Sequence, residues 1–567
     1  MLTATFRLLL YGKYNVINMP SALPQPLTQP DWYKDAVLYE LYVRAFNDSN
    51  GNGHGDLLGV IEKLDYLAEL GVDCLWLLPI QPSPLKDDGY DVSDYYGIHP
   101  DYGTLEDFKT LLDEAHARGM KVITDLVMNH TSDQHPWFLE SRSSKDNPKR
   151  DWYVWNADDK KHPETRIIFS DTETSNWAFD EATGEYYWHR FFTDQPDLNY
   201  DNPEVRAEML NVIRFWLELG IDGFRLDAIP YLFEREGTLN ENLQETHGFL
   251  QEVRAFVDEI APGTLLLGEV NQWPNDTIPY FGNGHNEMNL LFHFPVMPRL
   301  FKAVAEEDRG SVDWIMERTP HIPETCSWVV FLRNHDELTL EMVTRDERDF
   351  MYETYAPEPR MKLNLGIRRR LAPLLGNDTR KIKLMNSLLM TLPGTPILYY
   401  GDEIGMGDDL SLSDRNGVRT PMQWNGEKNA GFSKVDKLYA PVIRDESFGY
   451  EHVNVEKQKE CAKSVLCWTK RLIRTRKQHP ALGRGHFEIL ETENRTILPF
   501  LNAFENDVVV AVHNLSAQAQ RFELDLSSYR NRRFIDALGG QSGQEVRADE
   551  KTGLELPPYG FAWLTLR

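Results

Sequence analysis

Short apolar runs that close on polar residues punctuate this chain. Residues 221–226 lead into Asp227, Leu265-Leu-Leu267 leads into Glu269, and residues 122–127 lead into Asn129 and His130. A run apolar at successive positions fits a strand buried on both faces of a parallel sheet. Similar runs span 36–42, 74–78, 287–292, 328–332 and 396–400. Between the first two, residues 58–70 carry apolar positions at helical spacing and end at Gly71, a C-cap signal. Strands alternating with helices in this order predict an α/β fold, a (β/α)8 barrel, whose strand C-termini meet on one face.

Two stretches break the rhythm. Residues 130–202, rich in Trp, Asp and Pro, read as an insertion after the third strand. From about residue 487 short alternating runs take over, at 508–512, 522–526 and 560–566, the pattern of an all-β sandwich. The expected partition is a barrel over 29–129 and 203–480, an insert over 130–202 and a sandwich over 481–567. Residues 1–28 read as a disordered extension, because Leu8-Leu-Leu10 is too short for a secretory h-region, with Met19 as an alternative start.

Composition narrows the function. The 567 residues are 41% apolar, yet hold no apolar run of the length a membrane span needs. A formal net charge of -28 argues against nucleic acid and other polyanions as partners. The four cysteines, Cys74, Cys326, Cys461 and Cys467, lack a C-x2-C metal spacing and suggest a reducing, cytoplasmic setting.

The strand ends supply the chemistry. Breaking an acetal at neutral pH takes one carboxylate that attacks and one carboxyl that protonates the leaving oxygen. Asp227 and Glu269 are candidates, and Arg225, two residues before Asp227, shares its face of the strand. A lone Asp at a strand end is usually a cap or turn former; four such endings in order, in Asp125-Leu-Val-Met-Asn-His130, Gly223-Phe-Arg-Leu-Asp227, Leu267-Gly-Glu269 and Arg333-Asn-His-Asp336, are not. Separately, Asp48, Asn50, Asn52 and Asp56 stand at positions 1, 3, 5 and 9 of a loop with Gly53 at position 6, as in a calcium loop. Gly59 at position 12 rules out an EF-hand. A compact calcium loop closed by the carbonyl of His54 and a plain Asn/Gly turn are the two readings.

These four blocks resemble the signature regions of the α-amylase family, glycoside hydrolase family thirteen. The resemblance implies that Asp227 is the nucleophile, Glu269 the acid/base and Asp336 the carboxylate that grips the distorted sugar. It implies that Arg225 keeps the nucleophile ionised and that His130 and His335 bind hydroxyls of the transferred glucose. Tyr90 would stack on that glucose, Asp91 would bind its far hydroxyls, and Arg419 would pair with such an aspartate to close the pocket at one glucose unit. Residues 130–202 match the family's inserted domain B. Asn129 and Asp197, with the Tyr231 and Leu232 carbonyls and Glu234, match a second calcium position joining that domain to the barrel; a hydrogen-bonded contact without an ion is the alternative. No organic cofactor is implied.

The connection after the seventh strand discriminates further. Glu337-Leu-Thr-Leu-Glu341, Asp346 through Tyr352, Asn364 onward and Asp414-Arg-Asn-Gly-Val-Arg419 resemble the branch of the family that converts maltose to trehalose. That branch implies a small disaccharide substrate, a lid, and minor hydrolysis to glucose. Residues 346–355, carrying Tyr352 and Tyr355, are the lid candidate and Glu173 the acceptor-binding candidate, against plain packing for Tyr352 and plain surface for Glu173. An exo-acting α-glucosidase or a sucrose isomerase-type enzyme is the runner-up, and a noncatalytic sugar-binding or transporter-associated member the third reading. A homo-oligomer and a functional link to a separate maltose kinase are the macromolecular partners left open.

Overall fold

The computed structural model describes residues 31–530, 532–539, 546–549 and 551–566, so the expectation for residues 1–28 lies outside the described residues. Among the described residues eight strands close a barrel, and four further sheets hang from their connections or follow them. In chain order, β1 (Leu38–Leu41), β2 (Cys74–Leu77) and β3 (Lys121–Val127) precede an inserted three-stranded sheet of β4 (Trp155–Asn156), β5 (Trp177–Asp180) and β6 (Glu185–Trp188). The barrel resumes with β7 (Gly223–Asp227), β8 (Leu265–Gly268), β9 (Leu290–Phe292) and β10 (Ser327–Phe331). A small sheet of β11 (Leu338–Thr339), β12 (Lys362–Leu363) and β13 (Gly366–Ile367) intervenes before β14 (Thr395–Tyr399) pairs in parallel with β1 and β10 and closes the ring.

Every residue of β2, β7, β8, β10 and β14 is buried, as the uninterrupted apolar runs require. At Gly223 a Cβ would lie 2.3 Å from the Leu265 carbonyl, so only glycine lets β7 pack this closely against β8. Gly71 caps its helix at φ +97°, as the sequence predicts, but residues 58–70 form two helices, Leu57–Glu62 and Leu64–Leu70, broken at Lys63. The sixth strand begins at Leu290, where pairing with Leu267 and Ser327 starts, and not at Glu287, whose carboxylate meets His247 Nδ1 and Gln251 Nε2 at 2.9 Å each.

The C-terminal domain is all β. β15 (His486–Ile489), β16 (Ile497–Phe504), β17 (Asp507–Asn514), β19 (Arg533–Asp536), β20 (Val546–Arg547) and β22 (Phe561–Leu566) form one sheet, and β18 (Gln520–Leu524) pairs with β21 (Thr552–Leu556) in a second. It docks on the barrel helix Thr379–Thr391 through a buried polar joint. Ser387 Oγ lies 2.9 Å from both His513 Nε2 and Trp563 Nε1. Among the described residues no helix is long and apolar enough to cross a membrane. Cys74 and Cys326 are buried free thiols, Cys461 is exposed and Cys467 half-buried.

Candidate active site

The strand ends deliver a buried charge cluster to one rim of the barrel. Arg225, in the middle of β7, pairs through Nη1 with Asp227 Oδ1 at 2.6 Å and with Asp125 of β3, and through Nη2 with Glu269 Oε2 at 2.8 Å. One guanidinium cannot fully compensate three carboxylates where charge is poorly solvated. Burial pushes Asp227 up to about 6 against the pull of Arg225. Burial pushes Glu269 further, to about 7, again opposed by Arg225 and assisted by Asp227 and Asp336. Two neighbouring carboxyls displaced in this order can hold one ionised and one protonated near neutrality.

Asp336 occupies a cationic setting. His335 Nε2 lies 3.2 Å away, Arg415 Nε 3.0 Å and Arg419 Nη2 2.9 Å. Burial acts to raise its pKa, but His335 and Arg415 outweigh it and hold the carboxyl well below the usual range. The Tyr90 ring stacks on His335 with centroids 5.4 Å apart and planes 12° from parallel. His130 is kept neutral by burial, which lowers it to about 3, and its Nε2 stands 3.2 Å from the Tyr90 carbonyl.

Tyr90, His130, Asp227, Glu269 and Asp336 line one cavity, with Arg225 and His335 touching its wall residues from behind. Three expectations need correction. Asp91 does not reach the cavity: it is fully buried and accepts from Ser83 Oγ at 2.8 Å and from the amides of Lys86 and Asp87 at 3.1 Å, tying off its own turn. The wall carboxylate of that turn is Asp87, which accepts from Gln195 Nε2 at 2.8 Å. Arg419 braces from behind, donating to Asp88 at 2.6 Å and to the His335 carbonyl at 2.9 Å. Arg415 is the arginine of the wall, 3.8 Å from Asp87 and 2.9 Å from Glu337. Glu173 stands outside, its carboxylate accepting from Thr193 N and Oγ1 at 3.1 and 2.9 Å.

The lid expectation also changes. Helix Arg345–Tyr355 is docked on helix Val296–Glu306 through Arg299, which bonds both Glu347 oxygens at 2.9 and 2.7 Å, and through Tyr355 OH on the Phe301 carbonyl at 2.7 Å. Neither Tyr352 nor Tyr355 lines the cavity; Glu337, Thr339 and Glu341 beside β11 do, with Asn271 beyond Glu269. Domain B adds Phe169 and Phe191. Arg166 of domain B then bonds Glu341 at 2.7 Å and Glu241 at 2.8 Å, bridging the insert to two barrel loops across the site. The doublet Glu337–Glu341 was a sequence signal for this wall; Arg166 carried none.

Two clusters of oxygen donors have the composition a hard cation takes. In the loop from Asp48 to Asp56, the Asp48 and Asp56 carboxylates accept loop amides, at 2.7–3.3 Å for Asp48 and 2.9–3.3 Å for Asp56 Oδ2. Asn50 and Asn52 accept the amides of Asn52 and His54 at 3.0 and 2.8 Å. The all-oxygen donor set fits calcium chemistry. The second cluster makes the stronger case: Asn129 Oδ1 and Asp197 Oδ2 are buried without a hydrogen-bond partner, and burial pushes Asp197 up to about 8. Burial with Asp197 beside it also raises Glu234 well above the usual range. Buried anionic oxygens without donors are the environment a cation relieves.

The barrel with its inserted domain and rim carboxylates places the chain in a class, and comparison with known proteins gives that class a name. The alpha amylase catalytic domain matches residues 40–356 and 367–485, and the maltogenic amylase C-terminal domain matches 487–563. The chain belongs to the α-amylase family, glycoside hydrolase family thirteen. It is 53% identical to "Trehalose synthase/amylase TreS" of Mycolicibacterium smegmatis, over 95% of this chain and 93% of that protein. It is also 53% identical to "Trehalose synthase" of Pimelobacter sp. (strain R48), over 95% of this chain and 96% of that one. Among solved structures, an inactive double mutant of MutB in complex with isomaltulose matches with a TM-score of 0.77 at 28% identity, covering 94% of this chain and 99% of that one.

Proposed function

We propose that this protein isomerises maltose to trehalose by intramolecular glucosyl transfer, with minor hydrolysis to glucose. The observation that carries this reading is identity of about half of all residues to two trehalose synthases along nearly the whole chain.

The geometry supports a retaining double displacement. Asp227, held ionised by Arg225 at 2.6 Å, attacks the anomeric carbon. Glu269, the carboxyl raised further by burial, gives its proton to the glycosidic oxygen as that bond breaks. A covalent glucosyl-enzyme and free glucose result. The freed glucose turns in place and presents its anomeric hydroxyl; Glu269 takes the proton back, the new C–O bond forms and Asp227 leaves. Trehalose differs from maltose only in which hydroxyl completes the second step, so water must be kept out while the glucose turns. The bridge from Arg166 to Glu341 and Glu241 supports that retention, since it holds domain B over the cavity.

We also propose calcium at both oxygen clusters: Asp48, Asn50, Asn52, Asp56 and the His54 carbonyl for one, and Asn129, Asp197, Glu234 and the Tyr231 and Leu232 carbonyls for the other. A bound calcium ion there supplies charge neutralisation and a cross-link, and takes no part in glucosyl transfer.

Chromatography of the products from maltose alone tests the function. Trehalose as the main product is expected, and glucose alone would make the protein the exo-acting α-glucosidase of the runner-up reading.

A further inference from the structure

One buried carboxylate at the floor of the site has no part in the double displacement. Glu40 of β1 is fully buried, and its Oε1 accepts twice from one residue, from the His335 backbone amide at 3.0 Å and from His335 Nδ1 at 2.5 Å. Its Oε2 has no partner. On the other edge of the ring, His335 Nε2 faces the Tyr90 hydroxyl oxygen at 2.8 Å and Asp336 Oδ2 at 3.2 Å. The Tyr90 proton has its own acceptor, Asp125 Oδ2 at 3.3 Å, and the hydroxyl oxygen, approached by Arg225 Nη1 at 3.4 Å, keeps a lone pair for a second donor. Both ring nitrogens therefore face acceptors, and a neutral imidazole carries only one proton.

We propose that Glu40 is a positioning residue for glucosyl transfer, pinning Nδ1–H of His335 so that the ring is held as an imidazolium whose Nε2–H serves Asp336 and the sugar. This deepens the function proposed above and rests on it. Without the charge on Glu40, a neutral His335 that kept Nδ1–H would turn a bare Nε2 lone pair towards Asp336, setting acceptor against acceptor. The groups facing the ring agree in sign: Glu40 from β1, Asp336 from its own loop, and Asp125 from β3 are carboxylates, and Glu269 beyond β8 senses its charge. The cations in reach are committed elsewhere, Arg419 through Nε to the His335 carbonyl at 2.9 Å and Arg225 of β7 through Nη1 to Asp227 at 2.6 Å, and Trp76 meets the ring at 84°, adding no charge. Burial works to lower the imidazole, but Asp336 and Glu40 raise it to about 9.

The test pairs Glu40→Gln, which keeps size and an acceptor oxygen but removes the charge, with nitrogen NMR of labelled histidines, the His335 signal being identified by its loss in His335→Gln. In the unmodified protein the His335 ring is expected to be charged at pH 7.5 and in E40Q neutral. Cleavage of an aryl α-glucoside by E40Q should fall roughly a hundredfold in kcat with KM little changed. Because the His335 charge lowers Glu269, its loss should also move the alkaline limb set by Glu269 to higher pH. A neutral His335 in the unmodified protein at pH 7.5 overturns the proposal, and that measurement decides even where E40Q does not fold. An E40Q variant that keeps the charged ring and the pH profile but melts lower assigns Glu40 to packing and also overturns it. Aryl glucoside cleavage without trehalose formation would instead sink the isomerase reading and leave the role of Glu40 intact.

Discussion

Arg166 of domain B and Glu341 beside β11 meet at 2.7 Å, although they are 175 residues apart in the chain. Both belong to segments that hang from the barrel, so the contact joins two flaps of the site rather than a flap to its scaffold. Replacing Arg166 by Met should leave the glucosyl-enzyme step intact while water gains entry. The ratio of glucose to trehalose formed from maltose is expected to rise several-fold, with aryl α-glucoside cleavage close to the parent. An unchanged product ratio would mean that retention depends on other contacts.

Asp227→Asn should abolish trehalose and glucose formation alike. Arg225 keeps Asp125 and Glu269 as partners in this variant, so the fold is expected to stand. The loss should be on the order of 10⁴-fold in kcat, as for a residue that acts through a covalent step. Trapping of a fluorinated glucosyl-enzyme, seen by mass spectrometry in the parent and absent in the variant, checks the assignment.

The pH profile follows from the two displaced carboxyls. Asp227 at about 6 must lose its proton and Glu269 at about 7 must keep one, so kcat/KM is expected to rise through pH 6 and fall through pH 7. Glu269→Gln should remove the alkaline limb and slow maltose turnover far more than that of an aryl glucoside whose leaving group needs no proton. Equal losses on both substrates would point away from acid catalysis by Glu269.

Stripping metal should lower the melting temperature, and calcium should restore it. The second cluster dominates this expectation, because Asn129 Oδ1 and Asp197 Oδ2 lack any other partner. Asp197→Asn is expected to bring the melting temperature of the metal-loaded protein towards that of the stripped parent. A stripped protein, verified by elemental analysis, that melts unchanged would count against both ions.

Acid stability has a marker in the joint between barrel and sandwich. Burial lowers His513 to about 3, and the neutral ring donates to the Leu498 carbonyl at 3.2 Å and faces Ser387 Oγ at 2.9 Å. The folded form thus binds this proton less readily than the unfolded chain, whose imidazole titrates near 6.5. Stability is therefore fully present above pH 6.5 and falls as the pH drops towards 3, by on the order of a few kcal/mol in full. His513→Gln should move the acid-unfolding midpoint, followed by tryptophan fluorescence, to lower pH.

What the sequence determined by itself is the frame and the chemistry. Short apolar runs without alternation fit strands covered on both faces, which placed the barrel strands within a few residues; Asp227 and Glu269 were legible because each closes such a run, and Asp336, four positions beyond Leu332, through the family resemblance. Local signals such as the stop at Gly71 were legible for the same reason, since a left-handed cap depends on one residue and its near neighbours. Choices between like residues were not. Asp87, Asp88 and Asp91 lie within five positions, and Arg415 and Arg419 within one helical turn, so only their packing decides which side chain faces the cavity and which braces it. The contacts of Arg166 with Glu341 and of Glu40 with His335 join segments 175 and 295 residues apart. Hydrogen bonds and ion pairs act over a few ångströms and leave no periodicity in the chain. They exist only once the barrel has closed and its loops have met.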